Sequence, residues 1–105
     1  MKILFDECAP WPMHKIFVGH ECSAASACGW AGIKNGELLR LAEGLFDVFV
    51  TADQNIRNQQ NLSNRQIAIL ELSTNDLRRI LAASSLLQSA VTTIEPGDFC
   101  HLEIP

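Results

Sequence analysis

A chain of 105 residues suits one compact domain, and a hydrophobic fraction of 48% is enough to build its core. No apolar run approaches the roughly 20 residues that cross a bilayer, so a membrane protein is not expected. The N-terminus "MKILFDECAP" meets an acid at its sixth residue, which argues against a signal peptide and leaves the cytoplasm as the expected location. The net charge of -4 sets up a field that repels nucleic acid, so binding to it would need a local basic patch or metal ions.

The apolar run "KILF" (2–5) reads as a central first strand, ending at Asp6-Glu7. Pro10 and Pro12 then suit the first turn of a helix, where a missing N–H costs nothing, and Gly19 is its expected stop. "ECSAAS" reads as a weak second strand, and "ACGWAGIKNG" as a glycine-punctuated loop. In "GELLRLAEGL", Leu38, Leu41, Ala42 and Leu45 fall at helical intervals.

"DVFVTAD" (47–53) carries the strongest strand signal, and its terminal aspartate is out of place inside a strand. The polar stretch "QNIRNQQNLSNR" reads as a short surface helix or turn, and "QIAILEL" (66–72) as another strand. Ser73 and Asp76 have capping-box spacing. The helix they would open carries a stripe of Leu77, Ile80, Leu81, Ser84, Leu87 and Val91. A turn at "EPGD" (95–98) precedes "FCHLEI", which alternates as a closing edge strand. Strands alternating with helices imply parallel crossovers, so the expected fold is a three-layer α/β/α domain with a mostly parallel sheet of about five strands.

In such sheets ligands bind beyond the carboxyl ends of the strands. Asp6 and Glu7 follow one strand and Asp53 another, and these acids would converge if the two strands are neighbours. Asn35 and Glu37, at the start of the intervening helix, could face the same edge. Clustered carboxylates repel one another unless a cation joins them, and oxygen ligands favour magnesium or manganese. Such an ion polarises a phosphate and activates water. Each acid also has a plainer reading: Asp6 and Asp53 as loop acids or helix caps, and Glu37 as an acid favoured by the helix dipole. Cys8, Cys22, Cys28 and Cys100 have no zinc-type spacing, even with His20 and His101 beside them, and read as reduced thiols.

"ILFDECAP", "GWAGIKNGELLRLA" and "DVFVTADQNIRNQQNL", in that order, resemble the short PIN-like domains. These are compact relatives of PIN-domain ribonucleases, and several are regarded as toxins of toxin–antitoxin pairs. The likeness runs from Lys2 through the strand at 66–72. It implies a magnesium- or manganese-dependent endoribonuclease acting on single-stranded RNA, with an antitoxin protein as partner and homodimers as a common assembly. By position, Asp6 matches the first metal-binding acid and Asp53 the acid of the T-x-D pattern. Asn35 falls where the family commonly has aspartate, and Glu37 could compensate. Asp6, Glu37 and Asp53 are thus the catalytic candidates, and Asp6, Asn35, Glu37 and Asp53 the metal ligands. The additional acid of longer PIN enzymes has no counterpart here.

Thr51 suits loop or substrate positioning in the resemblance, and a β-branched strand residue otherwise. Arg57 and Arg65 flank the polar segment and could hold RNA phosphates bidentately. Trp11 and Trp30 could stack bases or anchor the core. Two other readings remain open. A catalytically degenerate PIN-like domain would bind a protein without cleaving RNA. A receiver-type phospho-acceptor domain would use Asp53, although no lysine follows Lys34 to serve it.

Overall fold

Five short segments rich in apolar and β-branched residues pair into one all-parallel sheet in the computed structural model, which describes residues 1–56 and 65–105. The strands are β1 (Lys2–Phe5), β2 (Glu21–Ala24), β3 (Val48–Thr51), β4 (Ala68–Leu72) and β5 (Phe99–Leu102), in the order β2-β1-β3-β4-β5. The expected five-strand, helix-flanked sheet is what the chain builds. β1 is an interior strand that pairs with both β2 and β3, so Phe5 stands between Ala24 and Val50.

Both faces of the sheet are covered, which is why the central strands are continuous apolar runs. Ile3, Phe5, Val48, Val50 and Leu70 face one core, packed with Met13, Phe17, Ile80, Leu87 and Val91. Leu4, Phe49 and Ile69 face the other, packed with Leu38, Leu39, Ala42 and Ile56. Side chains such as Leu4 and Phe49 have no measurable exposure, and each contributes about 1.5–3 kcal/mol by its burial.

The helical layers differ from the sequence reading in detail. The segment opened by Pro10 and Pro12 is a 3-10 helix, Trp11–Ile16. Helix α1 spans Asn35–Ala42 and buries Leu38, Leu39 and Ala42. The long stripe expected after β4 is divided at Ala83 into α2 (Leu77–Ala82) and α3 (Ser84–Thr93). Ile80, Leu87 and Val91 still reach one core, but Leu81 is left exposed. Asp76 alone caps α2, accepting from the N–H groups of Arg78 and Arg79. Ser73 is not the cap: its Oγ accepts the N–H of Ile104 at 2.8 Å, tying the chain's end to β4. No helix among the described residues is long and apolar enough to cross a membrane.

Candidate functional site

The strand order reverses direction between β1 and β3, and at such a switch point the loops leaving the two strands diverge and open a crevice. Asp6 is the first residue past β1, and its N–H still bonds the carbonyl of Val50 on β3 at 3.2 Å. Its side chain closes the following turn, with Oδ1 accepting from the N–H of Cys8 (3.1 Å) and Ala9 (3.0 Å). Oδ2 accepts from the hydroxyl of Thr51 at 2.5 Å and from the amide of Asn35 at 3.2 Å.

Asp53 comes from the loop after β3. Its N–H donates to Thr51 Oγ1 at 3.0 Å, and its Oδ1 accepts from the N–H of Asn55 at 2.9 Å, the local turn expected of a loop aspartate. Its Oδ2 accepts from Nδ2 of Asn35 at 2.9 Å. One amide nitrogen at the start of α1 therefore touches both carboxylates. The positive end of the α1 dipole points at the same place and favours the acids.

Burial pushes the Asp6 carboxyl above its ordinary value, and the hydrogen bonds from Thr51, Ala9, Asn35 and Cys8 only partly offset it. Cys8 lines the same crevice. Burial raises its thiol, and the charges of Asp6, Asp53 and Glu7 raise it further. It is held as the thiol and is a poor nucleophile.

The crevice has a volume of about 780 Å³. It is lined by the polar set Asp6, Asn35 and Asp53 and by a wall of Trp30, Ile33 and Ala25. Glu7, expected to join Asp6 at the carboxyl end of β1, lines the crevice and accepts the N–H of Gly32 at 2.8 Å, pinning the loop that carries that wall. Glu37 lines the crevice but is engaged elsewhere, with its carboxylate 2.5–2.6 Å from the guanidinium of exposed Arg40.

Arg65 lies away from the site. It precedes β4 at the amino end of the sheet, where its Nε donates to the carbonyl of Ile67 at 3.1 Å and burial lowers its pKa. Arg57 lies outside the described residues.

Glu71 carries a second polar constellation unseen in the sequence. It is the partner of Thr51 in the β3–β4 ladder and is 4% exposed. Its Oε1 lies 2.5 Å from Nδ1 of His101 on β5, and its Oε2 has no hydrogen-bond partner among the described residues. A glutamate interrupting the apolar run "AILEL" was the available signal.

Among the described residues there is no group of three or more His, Cys, Asp and Glu side chains able to hold a metal ion. The donor set is two carboxylates and an amide. Magnesium keeps several waters and needs only one or two carboxylates, so this set fits a hydrated ion better than a protein cage. No protein-family model, curated protein or solved structure matches this chain.

Proposed function

We propose that the crevice is the active site of a PIN-like, magnesium- or manganese-dependent endoribonuclease, with the toxin of a toxin–antitoxin pair as its biological role. The observation that carries this reading is the sharing of one Asn35 nitrogen by Asp6 and Asp53, at 3.2 and 2.9 Å. Carboxylates brought that close, on a fold whose ligands bind at this edge, are arranged for a cation. Asp6 and Asp53 would hold it. Asn35 would turn its amide oxygen inward, since amide oxygen and nitrogen exchange by a simple flip. A divalent ion there supplies phosphate polarisation and a water of lowered pKa. Thr51 fixes the rotamer of Asp6, and the Asp6 turn fixes the loop at Cys8 and Ala9. Exposed Leu81 and Leu86 offer apolar surface to a second copy or an antitoxin.

The test is manganese-dependent cleavage of single-stranded RNA. Asp6→Asn and Asp53→Asn should each abolish it, and cleavage at the parental rate by both variants would overturn the assignment.

One observation favours a second reading, a PIN-like domain that binds protein without cleaving. Asn35 is neutral where the resembled family has an acid, and Glu37 is paired with Arg40. Calorimetry that finds manganese binding without RNA cleavage would support it. The receiver reading shares the β2-β1-β3-β4-β5 order, but the chain has no lysine after Lys34 to contact a phosphoryl group.

A further inference from the structure

The two tryptophans have different surroundings. Trp11 is stacked on His14, with ring centroids 4.1 Å apart, and meets Phe5 edge-on at 5.6 Å. One of its faces is covered by His14, and the ring, 39% exposed, does not line the crevice. Trp30 is half-buried in the crevice wall, where it packs against the second core and meets Phe46 in a T-shaped contact at 6.2 Å. Lys34, exposed and four residues further on, is the one basic side chain lining the crevice among the described residues. The Glu7–Gly32 hydrogen bond ties the loop between them to the residue that follows Asp6.

We propose that Trp30 and Lys34 form a nucleotide subsite, with an unpaired base stacked on the Trp30 ring and an adjoining phosphate on Lys34. This deepens the nuclease reading and rests on it for the position of the scissile phosphate. The volume of about 780 Å³ lies within the range of small-molecule sites and leaves room for a nucleotide beside the acids. A ligand bearing both a flat aromatic group and anionic groups suits an aromatic wall next to a lysine and a cation-binding floor. Stacking requires the base to be free of a duplex, which makes the ligand single-stranded.

The test uses full-length protein carrying Trp11→Phe, so that Trp30 is the sole tryptophan, together with Asp6→Asn and Asp53→Asn to prevent hydrolysis. A uridine hexanucleotide should quench Trp30 emission saturably, and an abasic strand of the same length should not. Lys34→Ala should weaken binding about tenfold and flatten its salt dependence by about one unit of slope. Trp30→Phe, followed by calorimetry, should weaken it by a similar factor.

Equal responses to the abasic and base-containing strands would overturn the subsite. So would a response to a cationic peptide and none to either strand. The two readings fail separately: cleavage by the parent without Trp30 quenching removes the subsite alone, and quenching without cleavage removes the nuclease alone.

Discussion

The hydroxyl of Thr51 lies 2.5 Å from Oδ2 of Asp6, across 45 residues of sequence. The bond spans the boundary between β1 and β3, and Thr51 Oγ1 also accepts the N–H of Asp53. A single side chain thereby orients both acids. Thr51→Val should cost about 1.5–3 kcal/mol, the worth of a hydrogen bond to a charged group, while Thr51→Ser retains most of it. Urea unfolding monitors the loss, and RNA cleavage should fall in Val and persist in Ser.

Asn35→Asp tests the proposed cation site from the opposite direction. A third carboxylate beside Asp6 and Asp53 should tighten manganese binding about tenfold by calorimetry, because affinity rises with ligand charge. In chelator the same variant should melt at a lower temperature than the parent, because three acids then repel one another.

The raised pKa of Asp6 has a definite sign. Between the ordinary carboxylate value and the raised one, the folded protein holds a proton that the unfolded chain has released. Stability is therefore lost as pH rises through that window. In chelator, the Tm difference between parent and Asp6→Asn should move in the variant's favour as the pH rises through that window. Below the ordinary carboxylate range, where Asp6 is protonated in both states, the difference should become independent of this titration.

His101→Ala strips the Glu71 carboxylate of its partner at 2.5 Å while leaving it buried. The expected loss is about 1–3 kcal/mol, moderated by the partial exposure of the imidazole. Glu71→Met should be nearly neutral, since replacing a buried pair member by an apolar side chain removes the desolvation cost with the contact. A double-mutant cycle should show the two substitutions to be non-additive.

Gly97 sits at φ +81°, and a Cβ there would lie 2.8 Å from the carbonyl oxygen of Arg65. Gly97→Ala should cost about 1–3 kcal/mol through backbone strain and this clash. The site is at the amino end of the sheet, so cleavage by the folded fraction should be unchanged.

Much of the sheet was legible because buried parallel strands leave continuous apolar runs, as in "KILF", "DVFV" and "AILEL". The existence of helix α1 was legible but its buried face only in part: Leu38 and Ala42 of the expected stripe are buried, whereas Leu41 and Leu45 are exposed and Leu39 is buried in their place. The division at Ala83 was not, because Ile80, Leu87 and Val91 keep a helical period across it. Ser84 and Ser85, residues that favour helix ends, were the only hint. Ser73 imitated a cap because its distant partner, the N–H of Ile104, has no local trace.

At the site, the two aspartates were legible as acids stranded past strands. Their meeting depends on β1 and β3 being neighbours, a matter of strand order that periodicity does not encode. Arg65 was misplaced for a related reason. Nearness to Asp53 in sequence says nothing once the chain has crossed to the other end of the sheet.

The Glu7–Gly32 latch has an evolutionary and engineering consequence. The loop is fastened to the rim by the Glu7 carboxylate and the Gly32 N–H, while Trp30 and Ile33 pack against the second core. Exposed Ala31 and Lys34 are therefore the positions at which the crevice can change its ligand preference with core and latch both left intact.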